Sequence, residues 1–273
     1  MEEKTTLTLE QKWEQATIAN NFIFYKVMHN HPDVCKELLE ILLEIKIDHI
    51  EIKQEDDIKI DYGKKGIRLD VYAVGNTVAY NIEMQATDTG ELPERARFYQ
   101  SVLDVDDLNS GGSYKDLKTS YIIFICVPDI FEKGLAKYTF ENTCIEKPEL
   151  KINDRSYKLF FIAENYDKIL DEKQKSFLRL VMSNDSTSDF SDKLSRLVDD
   201  AKHNTQWRKQ FMDLEIEKIY SFRAGKAEGA QEKAIEDAEN LLKEGDSPEK
   251  VARCIGLPLE QVLELKKSIT VLA

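Results

Sequence analysis

Little in this 273-residue chain is arranged for cross-linking or for metal capture by soft ligands. Its four cysteines, Cys35, Cys126, Cys144 and Cys254, are scattered without a CxxC pair, which excludes a zinc ribbon and a disulfide framework. Unpaired thiols suit a reducing compartment, so a cytoplasmic location is expected. Long apolar runs are missing as well. The longest, YIIFICV at 121–127, is far too short to span a bilayer, and MEEKTTLTLEQKW at the start has no basic stretch followed by an apolar one. No membrane association is expected. Neither a GxGxxG nor a P-loop spacing occurs, and His29, His31, His49 and His203 show no ligand pairing.

An excess of positive charge is also lacking. The net charge is −13, and residues 1–165 hold most of it, with 20 Lys and Arg against 30 Asp and Glu. A protein that grips nucleic acid mainly by neutralising phosphates is normally basic, so any such contacts here should be few.

What is present is a globular composition, 42% hydrophobic and 33% charged, in a chain long enough to bury a full core. Residues 17–53 read as two helices separated at Pro32, then a short strand, DHIEIK. A hairpin follows in RLDVYAVGNTVAYNIEMQ, then a helix over TGELPERARFYQSVLDVDDL with Pro93 in its first turn. SYIIFICVP is apolar on both faces, the mark of a buried strand that is parallel to its neighbours. KYTFENTCI and SYKLFFIAE complete a mixed sheet, so an α/β domain is expected over 1–165. A helical region should span 166–224. The segment 225–273 should form a helical module with a helix-turn-helix outline, in which Ser247 caps a helix that starts at Pro248. Its apolar Val251, Ile255, Val262 and Leu265, with Glu260 and Glu264 on the outside, suit protein better than DNA. A homo-oligomer through the C-terminal helices is therefore expected.

The hairpin carries the chemistry. With a two-residue turn at Gly75-Asn76, Asp70 opposes Asn81 and Arg68 opposes Glu83. Alternation puts Leu69, Val71, Ala73, Val78, Tyr80, Ile82 and Met84 on a core face, and Asp70, Asn81, Glu83 and Gln85 together on the other. Asp70 and Glu83 then sit as diagonal neighbours, close enough to share one small cation. Two carboxylates suit Mg²⁺ or Mn²⁺, which keep several waters and complete their shell with substrate phosphate. Gln85 cannot act as a base, but it can orient a water or bond a phosphate oxygen. Two readings are open on these residues alone: a solvated face with an Arg68–Glu83 ion pair, or a metal site.

The wider pattern decides between them. NNFIFYKVM, GIRLDVYAVGNTVAYNIEMQ, ERARFYQSVLD and YIIFICVPDIF resemble the Rpn group, the recombination-promoting nucleases of the PD-(D/E)xK nuclease family transposases. The resemblance extends through most of the chain. It implies a restriction-endonuclease-like mixed sheet flanked by helices, and a metal-dependent DNA endonuclease linked to recombination or mobile elements. It implies that Asp70, Glu83 and the Met84 carbonyl bind Mg²⁺ or Mn²⁺, and that Arg95 and Tyr99, four apart on one helix face, touch DNA phosphate. Gln85 stands where the superfamily more often has Lys, a substitution the Rpn group shares. Asn20 and Asn21 stand where the superfamily's first helix often carries an acid. These departures, with the negative charge, support an alternative: a nuclease-fold binding or assembly protein that is catalytically weak or inactive.

Overall fold

The computed structural model describes residues 7–53, 70–108 and 111–272, with side chains through Ile269. By contacts the chain divides into two compact units, Met1–Arg208 and Lys209–Ala273. The first begins with three helices, α1 (Leu9–Glu14), α2 (Asn21–Asn30) and α3 (Pro32–Leu43). Asn20 caps α2, its side-chain oxygen accepting from the amides of Phe22 and Ile23, and Pro32 opens α3 at a position where no amide is needed. Three strands follow, β1 (Glu51–Lys53), β2 (Val71–Val74) and β3 (Val78–Gln85), then helix α4 (Leu92–Asp107). Strands β4 (Thr119–Cys126), β5 (Lys137–Phe140) and β6 (Ser156–Ile162) complete a six-stranded sheet of order β1-β2-β3-β4-β6-β5.

The sheet is mixed, as the apolar character of β4 predicts: β4 runs parallel to both β3 and β6, while β1-β2, β2-β3 and β5-β6 are antiparallel. α4 lies over one face. Its Leu92, Ala96, Tyr99 and Leu103 bury Tyr72, Ala79, Ile122, Phe124 and Phe160. Val71, Ala73, Tyr80, Ile82 and Met84 project to the opposite face and are buried too, with α2 packed on β2 and β3. On that side Tyr80, Tyr121 and Tyr157 stack across three strands at 5.8 and 5.2 Å. The expectation that only one face of the hairpin meets the core is corrected here. α4 closes over the polar row, so β3 is buried on both sides.

The turn is corrected as well. The amide of Gly75 bonds the Val78 carbonyl at 2.8 Å, so the two turn residues are Asn76 and Thr77, and Val74 pairs with Ala79. Gly75 serves another purpose: a Cβ there would lie 3.3 Å from the His49 carbonyl oxygen, tighter than side chains normally approach. The glycine makes room for the chain leading into β1. The register moves by two residues, which leaves every side chain on the face its alternation assigns. Tyr72 now opposes Asn81, and continuing the register by one rung sets Asp70 directly opposite Glu83. Arg68 and Leu69 lie outside the described residues.

Beyond β6, helices α5 (Glu172–Ser183) and α6 (Asp189–His203) pack against α3 and α2. Gln174 of α5 is buried and donates to the carbonyls of Ile41 and Leu42 at 3.0 and 3.1 Å, satisfying the open end of α3. Contacts thus carry the first unit past residue 165. Helix α7 (Thr205–Lys243) is one 39-residue element. In the second unit its final turns meet α8 (Pro248–Ile255) and α9 (Leu259–Leu272). Val251, Ile255, Val262 and Leu265, expected to face a partner chain, instead pack with Ala238 and Leu242 of α7 into a small core.

Candidate active site

Asp70 and Glu83 meet through a reciprocal clamp. The Asp70 amide donates to Glu83 Oε1 at 3.0 Å, and Asp70 Oδ2 accepts from the Met84 amide at 3.0 Å. Each side chain thus takes a backbone group from the other's strand and extends the hairpin ladder by one rung. Within a strand a residue's N–H and C=O point the same way, so the Met84 carbonyl shares the edge its amide offers to Asp70.

Arg95 closes the cluster from α4. Its Nη2 donates to Glu83 Oε2 at 3.3 Å and to the Tyr99 hydroxyl at 3.0 Å, and its Nη1 donates to Gln85 Oε1 at 3.3 Å. The guanidinium also lies 5.5 and 5.8 Å from the ring centres of Tyr99 and Phe124, within cation–π range. The helical spacing of four that puts Arg95 and Tyr99 on one face therefore delivers both to the carboxylates. All of Asp70, Glu83, Met84, Gln85, Arg95 and Tyr99 come together.

Electrostatically the cluster is under tension. Glu83 is only 1% exposed, and burial drives its carboxyl well above the usual range, with the neighbouring Asp70 charge adding to the effect. The Asp70 amide and Arg95 oppose that rise. Burial works against the charge of Arg95 too, but its bond to Tyr99 and the charges of Glu83 and Asp70 outweigh it and hold its proton more tightly. Tyr99 is raised by burial first and by Glu83 second.

These donors fit a hard divalent cation. Among the described residues no three His, Cys, Asp or Glu side chains converge, so a closed cage of the zinc kind is not formed. Two carboxylates beside a strand carbonyl match Mg²⁺, which retains waters and takes substrate oxygens. The side-chain oxygens of Asn20 and Asn21 are engaged at the start of α2: Asn20 accepts from Phe22 and Ile23, and Asn21 from Phe22 at 2.9 Å. His29 stacks on Tyr25, and His203 Nδ1 contacts the Asp199 carbonyl, so neither is a site group.

Two contributors have no role assigned by sequence. Phe124, opposite Glu83 on β4, is the platform beneath Arg95; only the parallel register reveals it. Asn81 is fully buried on the polar row, and neither its Oδ1 nor its Nδ2 has a hydrogen-bond partner. Its amide lies beside the Glu83 carboxylate, close enough to favour the charge without forming a bond. An orphan of this kind costs about 1–3 kcal/mol. Its signal in the sequence is an asparagine in the middle of an apolar strand.

Removing the buried charge should stabilise the metal-free protein. Because the folded-state value of Glu83 is raised, its contribution to stability is intact at low pH and lost as pH rises through that value. In EDTA, Glu83→Gln should therefore melt a few degrees higher than wild type at pH 8. The gap should close as the pH approaches 4.5, the ordinary glutamate value. A variant that melts lower at pH 8 would show the carboxylate to be stabilising.

Comparison with known proteins agrees with this geometry. No curated protein and no solved structure matches the chain. A family model described as PD-(D/E)XK nuclease family transposase matches residues 20–244, a span that contains the whole sheet, α4 and every residue of the cluster. With a mixed sheet flanked by helices and an Asp…Glu-x-Gln row on its hairpin, the chain belongs to the PD-(D/E)XK nuclease family transposases.

Proposed function

We propose that the protein is a divalent-metal-dependent DNA endonuclease that hydrolyses phosphodiester bonds in recombination or the movement of mobile elements. The observation that carries this reading is the pairing of half-buried Asp70 with buried Glu83, two like charges clamped together with Gln85, Arg95 and Tyr99 around them. Asp70, Glu83 and the Met84 carbonyl hold Mg²⁺ or Mn²⁺. The ion, when bound, supplies an acidified water and stabilises charge on the phosphoryl oxygens. Gln85 has no proton to take or give at neutral pH, so its amide orients the attacking water or a phosphate oxygen. Arg95 and Tyr99 engage a phosphate flanking the cut. Free thiols at all four cysteines fit a cytoplasmic setting.

A second reading is favoured by one observation: Arg95 already serves as the counter-ion of Glu83. A chain that kept this arrangement permanently would be a binding or assembly protein with the nuclease fold. Supercoiled plasmid incubated with Mg²⁺, Mn²⁺, Ca²⁺ or EDTA separates the two. Cleavage with Mg²⁺ or Mn²⁺, abolished by Asp70→Ala and by Glu83→Ala, is expected. Arg95→Ala should keep Mn²⁺ binding while cleavage falls by about tenfold or more. Full cleavage by either carboxylate variant would remove these residues from the site, and no cleavage by the wild type would favour the assembly protein.

Self-association with a second copy of the chain through the C-terminal helices belongs to the same proposal. Residues 1–165 are assigned the chemistry, 166–224 the helical region and 225–273 the terminal module. Among the described residues of the last two helices, Val251, Ile255, Val262 and Leu265 turn inward, and Leu259 and Leu263 are less exposed than Tyr220 and Phe222 of α7. The contact is therefore assigned to α7, where Ile216, Ile219, Tyr220 and Phe222 recur at helical spacing and Phe222 is 73% exposed. Two protomers would bring one site to each DNA strand. Light scattering should give wild type a mass above the 31.5 kDa of one chain, and Ile219→Glu with Phe222→Glu should return it to that mass and turn double-strand cuts into nicks. A wild-type mass of one chain would end this part of the proposal.

A further inference from the structure

Asn81 is the one residue of the polar row whose side chain is left without a partner. It projects from β3 on the same face as Glu83, two residues before it, with 0% exposure and both amide atoms unbonded. Its lateral neighbours offer little. Ile122 on β4 is apolar, and Tyr72 on β2 directs its hydroxyl to Asp106 Oδ2 at 3.2 Å. Along the strand the preceding residue on this face is Ala79, which leaves Glu83 as the polar neighbour. Gln100, the other described residue with an orphaned buried atom, has its NH₂ committed to Ser120 Oγ at 2.6 Å and Asp104 Oδ1 at 2.9 Å.

Glu83 itself has spare capacity. A carboxylate can accept about four hydrogen bonds. Here the protein gives Oε1 the Asp70 amide and Oε2 the Arg95 guanidinium, and the Arg95 bond, at 3.3 Å, is the longer of the two. Arg95 and a metal cation repel one another and compete for the same carboxylate. When a cation enters, Arg95 must yield, and Glu83 loses the donor that holds its second oxygen. The Asn81 amide lies beside that carboxylate on the same strand face.

Resting on the metal reading above, we propose that Asn81 is a positioning residue for Glu83, its Nδ2–H taking up the carboxylate when a cation displaces Arg95. In the metal-free protein Arg95 and the Asp70 amide hold the carboxylate in an orientation that leaves the neighbouring Asn81 amide short of a full hydrogen bond. Stability is given up at this position so that the ligand stays oriented in the other state, a trade found where function and folding compete. Partners of metal ligands typically change metal affinity by about 10–100-fold when removed.

The test uses the full-length protein, with Mn²⁺ titrated by calorimetry and metal-free melting followed in EDTA. Asn81→Leu keeps similar bulk and removes the orphaned amide. It should melt higher than wild type without metal, yet bind Mn²⁺ at least about tenfold more weakly. Asn81→Thr keeps a hydroxyl donor on a residue suited to strands, should lose less affinity, and carries the same comparison if the leucine variant does not fold. In a Glu83→Gln background, Asn81→Leu should cause no further loss of Mn²⁺ affinity, because the group it positions is already changed. Undiminished Mn²⁺ affinity in both Asn81 variants, with wild type binding normally, overturns the role of Asn81 alone. It would leave the amide as a core defect or the seat of an internal water. A wild-type protein that takes up no Mn²⁺ overturns the metal reading, and this inference with it.

Discussion

Two carboxylates held side by side inside a sheet form the constraint around which the rest of the molecule is arranged. Glu83 is buried beside a half-buried Asp70, and like charges so placed repel one another and are short of water, so the fold must supply compensation. It does so with backbone first: the Asp70 amide reaches Glu83 and the Met84 amide reaches Asp70 across the hairpin. Arg95 then adds a positive charge from α4, itself steadied by Tyr99 and by the ring of Phe124. α4 can do this because its apolar residues are anchored on the same sheet face. Packing, register and electrostatics therefore meet at one point, and the strain that remains on Glu83 is what a cation would relieve.

That strain also explains why an acidic protein can be a candidate for work on DNA. At −13 the chain is poorly suited to holding a polyanion by bulk attraction. A metal ion between carboxylate and phosphate inverts the local sign, and Arg95, released from Glu83, would add a second positive group where the phosphate sits. Binding would then depend on the metal more than on the protein's overall field. Affinity for DNA without metal should be low on the same grounds.

Most of the sheet and the identity of the cluster were legible in the chain. The period-2 alternation of the hairpin assigned Asp70, Asn81, Glu83 and Gln85 to one face, and a register shift of two left that assignment intact. The apolar run at 121–127 announced a parallel central strand, and the spacing of Arg95 and Tyr99 announced a shared helix face. What could not be read was set by tertiary contact. Gly75 looks like a turn residue, but its role is to let the His49 carbonyl approach. Asn20 sits at a position that suggests a ligand, whereas local geometry makes it a helix cap. Burial of the polar row depends on α4, and no local pattern in the hairpin encodes a helix arriving from above. The inward packing of α8 and α9 likewise depends on α7 returning its last turns to them.

The central claim is that Asp70 and Glu83 together hold a divalent cation, with Arg95 as its stand-in when the metal is absent. Anomalous diffraction from crystals grown with Mn²⁺ tests it most directly. The account predicts one strong peak at about 2.0–2.5 Å from an oxygen of each carboxylate, with the Arg95 guanidinium withdrawn from Glu83. A structure in saturating Mn²⁺ that shows no peak between them, and Arg95 still bonded to Glu83 Oε2, would contradict it.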